Sequence, residues 1–270
     1  MLSLRLGYVL ALAGLSKAGT VVWSGSFDSY ETAADFDKWS WANQVGEYQW
    51  YIHGDGPTSD YLALDEAYKN PAVETEAHGL KLTISSNATW NSNMERAELI
   101  PQTTADLGTG TLYYHFSIKR EEENAPDSTL EHQILFFESH FTELKYGIGS
   151  PTTDLQWYVG GTSQWGTDFV PGTWFNFAYE IDFDGQTVAL WASTDDAELE
   201  KVGDAVSAST STNSADFHVG VLRIVNQDPP EDWYISGVYI ESGDITTSVA
   251  GVAANATSTA AKRDGKFGRL

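Results

Sequence analysis

The feature that most constrains the fold is a two-residue apolar alternation, repeated in short segments that never lengthen into a helical pattern. Leu112-Tyr113-Tyr114-His115-Phe116-Ser117-Ile118 alternates in this way. So does Trp174 to Asp182, with Phe175, Phe177, Tyr179 and Ile181 on one face. Successive side chains of a strand point to opposite sides, so each segment offers one apolar face to a core. Asp184-Gly185 then leads into Thr187 to Ser193, and an Asp-Gly pair between two alternating runs marks a hairpin. Strand patterns also cover Leu80–Ser85, Glu95–Ile100, His132–Phe137, Gln156–Val159, Phe217–Val225 and Trp233–Glu241. Asp60 to Asn70 reads as a short helix. Many short strands spaced by turn residues predict an all-β chain, an antiparallel two-sheet β-sandwich. At this size such a sandwich is commonly a β-jelly roll, whose concave cleft suits an elongated polymer.

Three zones divide the chain. Residues 1–18 have the pattern of a secretory signal peptide: Arg5 supplies the positive start, Leu6 to Leu15 is nearly continuous apolar sequence, and Ser16-Lys17-Ala18 offers small residues for cleavage. The apolar run is too short to span a bilayer, so no membrane association is expected. Residues 19–245 show no low-complexity break and read as one domain. Residues 246–270, rich in Ala, Ser, Thr and Gly, have little to bury and are expected to be a disordered tail. Lys262-Arg263 in that tail has the form of a dibasic processing site. Together these readings predict a secreted, extracellular protein, acting as a monomer.

The formal charge of −23 becomes −25 once Arg5 and Lys17 leave with the leader. Such a field repels nucleic acid and anionic membranes, and a neutral polymer is the better partner. With no cysteine the domain relies on its hydrophobic core alone. Ten Trp, thirteen Tyr and twelve Phe supply that core, and any rings left exposed are suited to stack on sugars. Asn87-Ala88-Thr89 and Asn255-Ala256-Thr257 are glycosylation sequons at Asn87 and Asn255.

Two carboxylates stand out. Glu138 closes the run Ile134-Leu135-Phe136-Phe137, where an acid loses hydration unless something pairs with it. Desolvation there would raise its pKa and keep it protonated. Glu98 lies in Arg96-Ala97-Glu98-Leu99, and in a strand Arg96 and Glu98 share a face with side chains roughly 7 Å apart. The neighbouring cation favours an ionised Glu98. Two carboxylates in unlike surroundings are what acid/base hydrolysis of a glycosidic bond requires. His218, inside the apolar strand Phe217-His218-Val219, is placed to hydrogen-bond a carboxylate or a substrate hydroxyl. Tyr51 and His53 stand where a strand runs into a Gly/Pro loop, and Gln133 and Lys145 are further candidates for substrate binding. Zinc spacing, a phosphate-cradling loop and a Gly-x-Ser-x-Gly elbow are missing, so no cofactor is expected. Asp182, Asp184 and Asp195-Asp196 are hairpin and loop acids, and no metal is assigned to them.

Taken in order, several segments resemble glycoside hydrolase family 131, a fungal family of secreted β-glucanases. They are Asp37-Lys38-Trp39-Ser40-Trp41, Tyr51-Ile52-His53-Gly54, Tyr68-Lys69-Asn70-Pro71, Arg96 to Thr103, and Glu131-His132-Gln133 through Tyr146-Gly147. The resemblance runs from about Trp23 to Ile245. It implies a β-jelly roll and hydrolysis of β-1,3, β-1,6 and β-1,4 glucan linkages. It further implies Glu98 and Glu138 as the catalytic pair, Arg96 and His218 beside them, and an inverting reaction. Beyond the resemblance, Glu98, held ionised by Arg96, reads as general base on water, and Glu138, in its apolar setting, as proton donor. Ala97 departs from the family pattern, where a Thr is expected, but lies on the opposite strand face from Glu98.

Two rivals remain at this level. Jelly-roll polysaccharide lyases share the Arg-x-Glu-Leu strand, but Gln133-Ile134-Leu135 lacks their histidine. A lyase would use the Gln133 face, and in a regular strand Gln133 and Glu138 face opposite sides unless a bulge intervenes. A non-catalytic, lectin-like glucan-binding domain is the other alternative.

Overall fold

The computed structural model describes residues 19–251. The leader, Asn255 and Lys262-Arg263 lie outside the described residues. In chain order the strands begin with β1 (Thr20–Ser24), β2 (Tyr48–Ile52), β3 (Leu62–Asp65), β4 (Gly79–Ile84), β5 (Glu95–Pro101) and β6 (Thr111–Lys119). There follow β7 (His132–Phe137), β8 (Thr142–Tyr146), β9 (Asp154–Val159), β10 (Thr162–Asp168) and β11 (Phe175–Asp182). The series ends with β12 (Thr187–Thr194), β13 (Glu200–Lys201), β14 (Val206–Ser207), β15 (Phe217–Arg223) and β16 (Glu231–Ser242).

They form two antiparallel sheets packed as a sandwich. The nine-stranded sheet runs β13-β12-β11-β6-β16-β4-β3, with β1 added on β16 and β14 on β12. The seven-stranded sheet runs β10-β9-β8-β7-β15-β5-β2. The Asp-Gly hairpin forms as read: Asp182 Oδ1 accepts from the amides of Asp184 at 3.1 Å and Gly185 at 2.7 Å, and β11 pairs with β12 in continuous register. Between the sheets lie the alternate residues of each strand, among them Phe116, Phe177 and Tyr179 from one sheet and Leu99, Phe137, Leu144 and Val221 from the other.

Two expectations change. The helix expected over 60–70 is absent: Leu62 and Leu64 pair across the sheet with Leu82 and Leu80, and short 3-10 turns at Thr58–Asp60 and Glu66–Tyr68 flank that strand. Cross-strand burial of these leucines outweighs local helix propensity. Residues 246–251, expected to belong to the tail, are described and held against the domain. Thr246 is buried, its amide and hydroxyl donate to the Glu241 carboxylate, and Leu199 N donates to Thr247 O at 2.8 Å.

A local irregularity in β7 positions the site. Val219 and Gly220 of β15 together oppose the single Leu135, which has φ +43°. Ile134 and Leu135 therefore both turn inward, and every later residue of β7 changes face. Such a distortion leaves a carbonyl without its ladder partner. The hydroxyl of Tyr179, reaching over from the other sheet, donates to Leu135 O at 3.0 Å. Gly220 matters for a different reason: a Cβ there would meet Ala97 O at 2.2 Å, so only glycine lets β15 lie this close to β5.

Candidate active site

The outer face of the seven-stranded sheet carries the site. Strand alternation puts Glu95, Ala97 and Leu99 inward and Arg96 and Glu98 outward, as the sequence pattern requires. Arg96 Nε and Nη2 donate to the two oxygens of Glu98 at 2.6 and 2.7 Å, a fork-on-fork pair. Burial by itself lowers the Arg96 pKa, but the hydrogen bonds and charge of Glu98 more than offset this and raise it. Glu98 is fully buried. Its Oε2 also lies 2.5 Å from His218 Nδ1, brought alongside by the close β5–β15 approach at Gly220.

His218 Nε2 faces the other carboxylate, 3.1 Å from Glu138 Oε2. The imidazole thus stands between the two acids with one ring nitrogen on each. Phe136 stacks on it at 4.6 Å and 9°, fixing the ring plane from behind. Glu138 itself is 68% exposed. The desolvation expected of it does not occur, because the reversal at Leu135 turns Glu138 out of the sandwich. The apolar run that precedes it faces inward except for Phe136.

A transverse row of paired residues flanks this group. Cα partners run Arg96–Leu222–Gln133–Lys145–Gln156 across β5, β15, β7, β8 and β9. Lys145 Nζ donates to Glu131 at 2.7 Å and lies 3.5 Å from Glu143, and Gln133 donates to the same Glu131 oxygen at 3.3 Å. Burial alone would lower the Lys145 pKa, yet the two acids raise it. His140 bonds the other Glu143 oxygen at 3.0 Å and stacks on Phe136.

Family comparison decides what this arrangement belongs to. Residues 21–246 match the model of the glycoside hydrolase 131 catalytic N-terminal domain. The chain belongs to glycoside hydrolase family 131. Among solved structures, the catalytic domain of the family 131 protein from Coprinopsis cinerea is 66% identical. It superposes with a TM-score of 0.85, covering 87% of this chain and 100% of that one. A GH131 β-glucanase catalytic domain from Podospora anserina is 52% identical with a TM-score of 0.84, covering 86% and 100%. No curated protein sequence matches. This family 131 domain is accordingly a glycoside hydrolase built on a β-jelly roll.

The sequence-read residues of this hydrolase sort into two groups. Arg96, Glu98, Glu138 and His218 meet directly, and Gln133 and Lys145 share their face. Strand parity therefore does not separate hydrolase from lyase: the β7 irregularity puts Gln133 and Glu138 on one side. Leu135, where a lyase needs its histidine, points into the core. Tyr51 is also close: its ring meets Trp90 at 5.8 Å, and the Arg96 guanidinium lies 5.5 Å from that same Trp90 ring; burial first, then the charges of Glu138 and Glu98, raise its phenol pKa. It projects from a bulge in β2, between Trp50 and Ile52. His53 is engaged elsewhere. It stacks on Trp50 at 4.3 Å and its Nδ1 lies 2.7 Å from Gly54 O. Asn87 is exposed, and Ala97 is a core residue, so the departure there does not touch the site.

Sequence reasoning assigned no role to Trp39, Trp41 or Trp90, which cluster around Tyr51. The Asp37–Trp41 motif was the available signal. Its two tryptophans, spaced by one residue, fit core as well as surface.

Proposed function

We propose that this family 131 domain is a secreted, monomeric β-glucanase that cleaves β-1,3, β-1,6 and β-1,4 linkages with inversion at the anomeric carbon. The β-glucanase assignment rests on the Podospora anserina relative and on an acidic chain suited to a neutral polymer. The observation that carries the chemistry is the imidazole of His218 held between a buried and an exposed carboxylate.

Glu138, open to solvent, is the group that meets the glycosidic oxygen and donates the proton. Its next proton arrives from His218, once Nε2, unprotonated in the resting ring, has taken the proton of the attacking water. Glu98, locked by Arg96, accepts from His218 Nδ1 and so fixes the ring's tautomer and orientation. A carboxylate that is fully buried, with both oxygens engaged, does not act on water directly. The base role first read onto Glu98 is therefore revised to one exerted through His218. With the imidazole between them and Glu98 buried, Glu98 is not placed beside Glu138 as the nucleophile that a retaining pair ~5 Å apart would need, which supports inversion.

An NMR time course of products from β-1,3-, β-1,6- and β-1,4-glucans tests the reading. The α-anomer should appear first. Early β-anomer overturns inversion, and absence of any released sugar overturns the β-glucanase assignment. In addition, Glu98→Gln and His218→Ala should each cost turnover, and the double variant little more than either, because both act through one ring. Fully additive losses would show that Glu98 works independently of His218.

A further inference from the structure

Beside the carboxylates lies an aromatic surface that the hydrolytic group does not use. Trp41 is 67% exposed, the one large aromatic among the described residues left so open. It is not loosely held. Ser40 and Asn43 exchange two backbone hydrogen bonds, 3.0 and 2.9 Å, around it, and the Asn43 side chain donates to Lys38 O at 2.8 Å. The indole thus sits at the tip of a tight, closed turn.

Behind it the packing is layered. Trp41 meets Trp39 edge-on at 4.9 Å and Tyr51 at 5.2 Å, and Trp39 stacks on Tyr51 at 5.7 Å and 28°. Trp39 is itself pinned, its Nε1 donating to Gln102 Oε1 at 2.8 Å. The cluster continues to the catalytic group. Tyr51 contacts Trp90 at 5.8 Å, and the Arg96 guanidinium that grips Glu98 lies 5.5 Å from the Trp90 ring. An unbroken path of contacts therefore runs from the carboxylates to an exposed indole.

We propose that Trp41, backed by Trp39 and Tyr51, is a stacking platform for a glucosyl unit of the bound chain outside the bond being cleaved. This inference rests on the β-glucanase reading. A β-linked glucose ring carries its hydroxyls equatorially, which leaves flat C–H faces that cover an indole. The charge of −23 favours such a neutral ring over an anionic sugar. A rigid aromatic ring supplies contact area at small entropic cost, and its location beyond the carboxylates rewards chain length rather than chemistry at the cleaved bond.

The test uses the full chain with β-1,3- and β-1,4-linked glucose oligomers, from disaccharide to hexasaccharide. Trp41→Ala should raise KM for the hexasaccharide about tenfold, change the disaccharide little, and flatten the dependence of KM on length. Trp41→Phe should restore most of the loss, which a folding defect would not allow. Calorimetric binding of the same oligomers reads the platform without turnover. Oligomer binding that depends on Trp41 in a protein releasing no sugar would sink the β-glucanase reading and keep the platform. Equal affinity of wild type and Trp41→Ala at every length, or a dimer in sedimentation that Trp41→Ala dissolves, overturns the platform itself.

Discussion

Two networks with the same inventory sit on opposite faces of one sheet. On the outer face Arg96, Glu98, His218 and Glu138 join β5, β15 and the end of β7. On the inner face Arg223 pairs with Glu95 and with Glu231 at 2.7 Å, and His132 bonds Glu231 at 2.7 Å. Each holds one arginine, one histidine and two glutamates. They differ in how they end. All four inner side chains are buried, and their remaining hydrogen bonds are to backbone groups: Gln227 N donates to Glu95 at 2.7 Å and Asp127 N to Glu231 at 2.9 Å. The outer network ends on Glu138, with 68% of its side chain exposed. A closed network ties strands together, whereas one with an open carboxylate can exchange a proton with something outside.

That contrast predicts separable effects. The largest belongs to Glu138→Gln, which should lower kcat by about 10²–10⁴ and leave the melting temperature close to wild type. A large loss of stability in this variant would place Glu138 in the fold rather than the chemistry. Arg223→Leu should do the reverse. Glu95 loses its only charged partner and Glu231 keeps only His132, at a cost of about 3–5 kcal/mol in denaturant unfolding, while KM of the folded fraction stays at the wild-type value. Turnover lost without instability would erase the distinction between the faces.

Glu76 sharpens the comparison, because it is buried against the other sheet with neutral donors: Ser236 Oγ at 2.8 Å and Gly237 N at 2.9 Å. Burial dominates there and pushes its pKa from 4.5 up to about 7. The folded state thus favours the protonated acid, so the stability is fully present below about pH 4.5 and is lost as pH rises through about 7. The loss should reach about 3 kcal/mol, read as a falling unfolding midpoint between pH 5 and 8. Glu76→Gln should flatten that profile, and an unchanged slope would assign the pH dependence to other groups. The smallest effect is expected at Thr246, just beyond β16. Thr246→Val removes the hydroxyl that donates to Glu241 at 2.8 Å, which should cost about 1–2 kcal/mol by thermal unfolding. No change would mean that the domain's stability ends before residue 246.

Strand positions and one half of the candidate site were legible because they follow from local geometry. Alternation in Leu112–Ile118, the Asp184-Gly185 turn, and Arg96 and Glu98 two residues apart all depend on neighbours in sequence. The helix misread over 60–70 shows the limit, since Leu62 and Leu64 take their conformation from Leu82 and Leu80 on another strand. The aromatic cluster around Tyr51 was hidden for a related reason. Residues from the 39–41 turn, β2 and the loop before β5 meet only once the sheet forms.

By itself, then, the sequence determined a two-sheet sandwich and the pairing of Arg96 with Glu98, because a strand's two-residue period is a local property. Which way Glu138 points was decided by tertiary structure alone. Pairing with β15 makes Leu135 face two residues, and Tyr179 from the opposite sheet satisfies the carbonyl so displaced. That single reversal carries Glu138 from the core side to the solvent side and sets it against His218. Register is a relation between strands distant in sequence, and no period within β7 encodes it.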